Sequence, residues 1–473
     1  MRKREGQAIV VGGSIAGLLA ARVLSDFFER VTILERDHVS NNMETRPGTP
    51  QGRHLHALLP RGRRILENLF PGITSELVRG GAEILDVAND ISWLTPQGWG
   101  VRFQSEFEGV TSTRSLIEAA VRKQISLLSN VEILQECAVV GLVGDAAAVK
   151  GVEFVRCEAG ELRSEINTLQ ADFVVVANGR FSLVWDWLQE IGVRAAETTV
   201  LNAHIGYASR LFRRPEPIEN GWRAIFLQAA PPAFKRAGIL FPVEGNRWLV
   251  TLQGGDRDYP PTTDRGFLQF AESLRSPILF EAIRGAEPLS PISSYRATQN
   301  CLRHYQRLSK WPERLVVLGD ALCAFNPVYG QGMTTAALAA ELLADCFERS
   351  GNVRDRVARK FQKRVAKVNQ APWMLATGED LRYPNVEGAS AKLAGRLVHR
   401  YIDKILRAST HSVVARKKFL SVQGMLAAPA ALFSGTTIGI VLREYFRRTV
   451  VASNEGVVRA ASSFHEVARI GNK

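Results

Sequence analysis

The chain has 473 residues, 46% hydrophobic and 23% charged, the proportions of an ordinary globular protein of two or three domains rather than a disordered or fibrous one. Its net charge of +13 is spread along the chain without a nucleic-acid motif, so it reads as an Arg-rich composition, with attraction to an anionic membrane surface as the alternative and no nucleic-acid partner. The 5 cysteines are scattered, with no C-x-x-C pair and no zinc spacing, which argues for reduced thiols in a cytoplasmic setting and against a disulfide framework or a metal site.

The basic opening, Met1 to Arg4, followed by an apolar run resembles the start of a signal peptide, but residues 8–11 are too short for an apolar core of that kind and fit a first strand. G-G-S-I-A-G (Gly12, Gly13, Ser14, Gly17) follows at once, then a helix with Ile15, Leu18, Leu19, Val23, Leu24 and Phe27 on one face, then a second strand over residues 31–34 ending in Glu35 and Arg36. This is the βαβ dinucleotide fingerprint. The first glycine permits the tight turn, the last permits close helix–strand packing, and the acid 18 residues beyond Gly17 can bind ribose hydroxyls. Ser14 stands where the fingerprint has its second glycine.

Residues 41–62 form a loop rich in Pro, Gly, Arg and His, including Arg46, Arg53, His54 and His56. Loops of that composition are more often functional than decorative. The two histidines alternate as in a strand and are expected to shape a cofactor wall, with Arg53 meeting phosphate. A metal site is the lesser alternative, because no third ligand lies nearby. An amphipathic helix over 61–70 comes next. A hairpin is expected over 91–110, with residues 101–103 as its second arm, and Ser112-Thr113-Arg114 should cap a helix running to 128. Strands follow at 131–134, 139–143 and 151–156, then a buried strand over 171–177 that ends in Asn178-Gly179-Arg180. Asp86, Asp90 and Glu106 read as solvated loop charges rather than pocket acids.

From 195 to 300 the pattern changes to alternation with many aromatics and prolines, which predicts an antiparallel sheet with a helix after Thr263. Tyr207, Trp222, Phe226 and Phe241 are candidates for a substrate pocket on that sheet, with sheet core as the alternative. The chain then returns to a buried strand, residues 315–318, that breaks at Gly319-Asp320. It crosses Pro327, Gly330, Gly332 and Met333 and enters a small-residue helix. A strand ending in glycine ahead of a helix N-terminus presents unpaired N–H groups to an anion. Two such turns about 300 residues apart point to one long cofactor held at both ends. Beyond residue 343 the chain reads as helical to its end. The uncharged stretch 419–442 is interrupted by Gln423, Pro429 and three glycines. It reads as a buried helical pair, with a peripheral membrane element as the alternative.

Three signatures in order, G-G-S-I-A-G with Glu35, A-N-G-R-F-S (177–182) and G-D-A-L-C-A-F-N-P-V-Y-G-Q-G-M (319–333), resemble the FAD-dependent monooxygenases of the p-hydroxybenzoate hydroxylase-like fold. Within that group P-Q-G-R-H-L-H (50–56), Arg114 at its helix start, W-P-E-R-L-V-V-L-G-D and W-x-L-A-T-G-E-D-x-x-Y-P (373–384) look most like the olefin epoxidases of polyether antibiotic pathways. The similarity runs over nearly the whole chain. It implies an α/β, Rossmann-like FAD-binding fold over 1–90, 106–190 and 301–375, an inserted antiparallel lobe over 91–105 and 191–300, and a helical region over 376–473.

Residue by residue, the resemblance places Gly12, Gly13, Ser14 and Gly17 under the pyrophosphate and Glu35, with Arg36 beside it, at the adenosine ribose. Arg114 and Arg53 reach phosphate or ribitol, Gly319 and Asp320 hold the ribitol, and Pro327, Gly330, Gly332 and Met333 lie beside the flavin ring. The implied chemistry is oxygen transfer from O2 through a flavin C(4a)-hydroperoxide to a small lipophilic substrate, an alkene of a polyketide or terpenoid, without a catalytic side chain. Aromatic hydroxylation is the alternative, and an alkene-saturating reductase or a lipid carrier on the same fold comes behind it. The implied electron donor is NADPH or NADH, directly or through a flavin reductase; Asn178 stands where many relatives have Asp, which puts direct NADPH use in doubt and leaves room for the separate reductase. Gly98-Trp99-Gly100 does not supply the motif of a flavin halogenase.

Overall fold

The computed structural model describes residues 4–39, 46–158, 161–215, 221–350, 355–389 and 393–444. Its centre is a five-stranded sheet in the order Leu315–Val317, Phe173–Val176, Gln7–Val11, Arg30–Leu34, Val131–Leu134, every pair parallel. The inner strands are near-continuous apolar runs, as a sheet covered on both faces requires. Ile9, Val10, Val174, Val175 and Val316 are fully buried. Helices Ile15–Leu24 and Gly332–Ser350 pack on each other and on this core, where Phe27 and Phe347 stack at 4.9 Å between ring centres. The register pairs Val11 with Val176 and Val176 with Val317. Three strands therefore end level, and Gly12, Asn178 and Gly319 share one edge, where open α/β sheets form their ligand crevice.

An antiparallel meander, Cys137–Gly144, Val149–Glu158 and Glu161–Gln170, branches from this sheet. Its third strand is polar, and even Ile166 is 61% exposed, so it carries no apolar signal in sequence. The helix expected after Ser112 spans Arg114–Ser126 with Thr113 as its cap.

The lobe is a seven-stranded sheet in the order Ser293–Tyr295, Gly206–Arg213, Arg247–Gly254, Arg236–Val243, Ala224–Leu227, Ile91–Thr95, Gly98–Trp99. It is antiparallel except where Ala224–Leu227 runs parallel to Ile91–Thr95. The expected hairpin is shorter than its apolar pattern suggests. Residues 101–103 form no strand, and Glu108–Ser112 instead pairs with His56–Leu58 and Glu83–Asp86 in a separate small sheet. Alternation assigns the two faces of the lobe. Ile225, Leu227 and Leu240 point to a core under helices Asp264–Glu272 and Ile278–Ile283, while Phe226, Ile239 and Phe241 point the other way.

After Gly332–Ser350 come helices Asp355–Asp380, Leu393–Ala408 and Val413–Gln423. The last roofs the outer lobe face: Leu420 packs in the same cluster as Trp93 and Phe241, and Phe419 meets Trp93 at 5.7 Å. The expectation of helix to the chain end falls, for 445–473, outside the described residues. Among the described residues no helix is long and apolar enough to cross a membrane.

Candidate functional site

The glycine turns are packed too tightly for any side chain. At Gly12 (φ +102°) an added Cβ would lie 2.7 Å from the Ala177 carbonyl oxygen, and at Gly17 it would lie 1.8 Å from the Gly12 carbonyl oxygen. Gly319 (φ +62°) touches the opening helix from across the crevice, since its Cβ would sit 2.9 Å from that of Ala16. The two turns, far apart in sequence, are thus one structure. Gly332, by contrast, has nothing within 4 Å of an added Cβ among the described residues, at the start of a 19-residue helix whose first N–H groups have no helical partners. Asp320 sits in the short turn Gly319–Ala321 with no hydrogen-bond or ion-pair partner among the described residues. Close backbone at one end, open space and a partnerless carboxylate at the other are what an elongated dinucleotide with a ribitol chain requires, so the residues fit FAD.

At the fingerprint end the Gly13 N–H donates to Glu35 Oε2 at 2.8 Å, and the Asp37 N–H donates to Glu35 Oε1 at 2.9 Å. Glu35 also pairs with Arg46 at 3.0 Å. Ser14 does more than replace a small residue: its hydroxyl donates to Glu118 Oε2 at 2.8 Å and accepts from Arg114 Nη2 at 2.8 Å. Arg114 therefore reaches the crevice from its helix start, and its buried Nε has no hydrogen-bond partner among the described residues. Arg46 bridges Glu35 and Glu118, and Arg122 pairs with Glu118 at 2.7 Å. Burial alone would raise the Glu118 pKa, but the guanidinium groups of Arg114, Arg46 and Arg122 hold it below the usual range. Burial alone would lower the pKa of Arg46, and Glu35 and Glu118 raise it instead. Arg36 is largely exposed beside Asp37, 3.7 Å away. Arg53 is exposed at the end of the turn Pro50–Arg53. Neither belongs to the buried cluster.

Beyond the crevice lies a cavity bounded on one side by Pro327, Val328, Tyr329 and Gly330 and on the others by side chains such as Trp93, Phe226, Ile239, Phe241 and Leu420. Of the aromatics singled out in sequence, Tyr207, Phe226 and Phe241 line it. Trp222 does not: it lies in the helix-side core, 5.9 Å from Trp248, because it precedes the strand that begins at Ala224 and alternation does not assign its side. Met333 is buried in the main core.

His54 supplies one of the cavity's few polar edges. Its Nδ1 lies 2.7 Å from Ser209 Oγ, which lies 2.7 Å from Thr251 Oγ1, while its buried Nε2 has no hydrogen-bond partner among the described residues. Burial, with Arg53 nearby, pushes its pKa down to about 4. Burial, with Arg114, pushes that of His56 to about 3. Both rings are neutral at neutral pH, and they are engaged separately, His56 Nδ1 lying 3.0 Å from the His54 carbonyl.

Several working residues escaped the sequence reading. Arg180 donates to the carbonyls of Gln299 at 2.5 Å and Phe325 at 2.6 Å, tying the third strand end to the loop before the turn. Glu118 and Arg46 carried only a weak signal, the four-residue spacing of Glu118 from Arg114. Asp380, inside the 373–384 motif, is buried beneath the turn.

Residues 5–347 match the FAD binding domain family. The chain is 28% identical over 460 residues to Protein Rv3254 of Mycobacterium tuberculosis, covering 93% of this chain and 94% of that one. It is 25% identical over 371 residues to kynurenine 3-monooxygenase of Salinispora tropica, covering 73% of each. The fold is similar to the crystal structure of pqsL, a probable FAD-dependent monooxygenase from Pseudomonas aeruginosa, at a TM-score of 0.60 and 18% identity, covering 81% of this chain and 97% of that one. With the family match spanning the glycine turns and the crevice between them, the chain belongs to the FAD binding domain family of FAD-dependent monooxygenases and is an oxidoreductase.

Proposed function

We propose that this FAD-dependent monooxygenase epoxidises an alkene of a lipophilic polyketide or terpenoid. The observation that carries the proposal is the cavity: it abuts the Pro327–Gly330 turn and is walled mainly by Trp, Phe, Ile, Leu and Val side chains. Such a wall favours hydrocarbon by about 0.8 kcal/mol per buried methylene and penalises an unpaired polar group. One oxygen atom of O2 goes to the alkene and the other leaves as water. The two electrons come from NADPH or NADH, directly or through a flavin reductase. Bound FAD supplies the oxygen-activating chemistry.

In this reading the chain binds and orients. Gly12, Gly13, Ser14 and Gly17 approach the pyrophosphate, with Arg114 beside Ser14, and Glu35 faces the adenosine ribose. Arg36 and Arg53 lie at the exposed margin, Asp320 after Gly319 takes the ribitol, and the turn through Pro327 and Gly330 to Gly332 and Met333 meets the ring. The helix beginning at Gly332 offers N–H groups and the positive end of its dipole to negative charge on the ring. The surrounding apolar side chains exclude water. Residues 1–90, 106–190 and 301–375 serve as the cofactor domain, with 91–105 and 191–300 as the substrate lobe.

Aromatic hydroxylation is a second reading with one specific support, the buried Nε2 of His54 on the cavity wall, which has no hydrogen-bond partner among the described residues, a site for a phenol oxygen. Peripheral membrane contact is a further proposal. Leu393 and Leu397 are 73% and 56% exposed on one helix, and Phe433 and Leu442 are also exposed; cosedimentation with anionic liposomes tests it.

The experiment is mass spectrometry of products formed from candidate alkenes and phenols under 18O2, with FAD, NADPH and a flavin reductase, then with the reductase omitted. Epoxides carrying one 18O support the proposal. Labelled catechols alone would favour the second reading, and alkene saturation without O2 uptake would refute both.

A further inference from the structure

Asp380 closes the helix Asp355–Asp380 and is 1% exposed, yet no arginine or lysine pairs with it among the described residues. It accepts from Asn300 Nδ2 at 2.6 Å, from Asn326 Nδ2 at 3.1 and 3.3 Å, and from Tyr329 Oη at 2.8 Å. Asn326 and Tyr329 begin and end the cavity-facing turn. The same turn is held from the lobe, where Tyr207 Oη donates to Asn326 Oδ1 and accepts from the Val328 N–H at 3.0 Å. Asn300 Oδ1 accepts from the Asn326 N–H at 2.8 Å. Every group aimed at the Asp380 carboxylate is thus a donor. A protonated Asp380 would have to turn a hydroxyl toward one of them, and only Tyr329 could reverse its role.

We propose that Asp380 is a positioning residue whose ionised carboxylate fixes the Asn326–Tyr329 turn against the flavin ring, so that protonation of this one group loosens the turn and weakens FAD binding. The inference rests on the assignment of that turn to the FAD ring.

The titratable groups around the carboxyl are Tyr329, Tyr207, Tyr383 and Glu379, with Arg180 beyond Tyr207. Burial pushes Asp380 up to about 6, against the lowering effect of its bonds from Tyr329, Asn300 and Asn326, and Glu379 adds to the rise. The three tyrosines are all pushed upward by burial and by Asp380 itself, so they stay protonated where Asp380 titrates. His54 and His56, at about 4 and about 3, are already neutral there.

The test titrates the full-length protein with FAD by fluorescence quenching from pH 5 to 8 and records the bound flavin's visible spectrum at each pH. The wild type should lose affinity as pH falls through about 6, by about tenfold, the equilibrium effect of one hydrogen bond to a charged group, with a spectral change at the same midpoint. Asp380→Asn should bind more weakly and show neither change in this window. Tyr329→Phe, which removes one stabilising donor, should keep the transition and move its midpoint upward, and this variant decides the matter if Asp380→Asn does not fold. A wild type that binds FAD with a flat profile, an Asp380→Asn variant that keeps the wild-type transition, or an unmoved Tyr329→Phe midpoint overturns the inference alone. A wild type that binds no FAD at any pH overturns the FAD assignment as well.

Discussion

Gly17 and Gly332 stand at two helix starts, and a single methyl group should affect them differently. At Gly17 it would lie 1.8 Å from the Gly12 carbonyl oxygen and 3.2 Å from Val10 Cγ1. Both neighbours belong to a close-packed core, so the helix Ile15–Leu24 would have to move away from the strand by roughly 1.5 Å. Overpacking of this kind costs about 1–3 kcal/mol, sometimes more. In a domain of this size that is a drop in Tm of about 3–10 °C. The same shift withdraws the Ser14 N–H from a phosphate and strains the Gly13 N–H bond to Glu35. At Gly332, the first residue of its helix, a methyl meets nothing within 4 Å, so the cofactor-free fold should keep its stability. The methyl occupies space assigned to the flavin, so FAD affinity should fall about tenfold or more by steric overlap. The assay is differential scanning fluorimetry of cofactor-free protein beside FAD titration by fluorescence quenching. Gly17→Ala should lower both Tm and affinity, and Gly332→Ala should lower affinity alone. Wild-type FAD affinity in Gly332→Ala would refute the placement of the ring, and an unchanged Tm in Gly17→Ala would refute the packing argument.

Arg46→Met removes the cation between Glu35 and Glu118 and should destabilise the fold by about 3–5 kcal/mol in urea unfolding at pH 7, the cost of leaving buried charge unpaired. Glu118 is held below the usual carboxylate range, so its stabilising contribution is present above its unfolded pKa of about 4.3 and is lost as pH falls through its lower folded value. Arg46→Met should therefore also begin acid unfolding at higher pH, and an unmoved acid transition would contradict that arrangement. Ile239→Trp fills the cavity opposite the turn without touching the glycine crevice. It should raise the substrate KM at least tenfold, an effect of about 1.4 kcal/mol, and leave FAD affinity unchanged. A matching loss of FAD would mean that the cavity and the cofactor site are not separate.

Much of the crevice between the glycine turns was legible because close packing leaves marks in sequence. Gly12, Gly17 and Gly319 are positions where only glycine fits, and the apolar runs ahead of them are buried on both faces. Alternation around Phe226 and Phe241 located the cavity face of the lobe. Trp222 misled because it precedes the strand, where alternation no longer assigns a side. The pairing of Ile91–Thr95 with Ala224–Leu227 joins segments about 130 residues apart and has no local signature. The strand Glu161–Gln170 is an exposed edge, where polar residues cost little. Arg46, Glu118 and Asp380 were hidden for a different reason: a charged residue in sequence looks solvated, and only the fold supplies the burial and the partners that give it work.

The groove between the two glycine turns is the proposed FAD site, and Asp320 offers its sharpest test. Asp320 has no partner among the described residues, so Asp320→Ala removes no structural bond and should leave the Tm of the cofactor-free protein unchanged. It does remove the acceptor assigned to the ribitol, a charged hydrogen bond of about 1.5–3 kcal/mol, so the FAD dissociation constant should rise about 10- to 100-fold. A folded Asp320→Ala protein that binds FAD as tightly as the wild type would contradict the central claim.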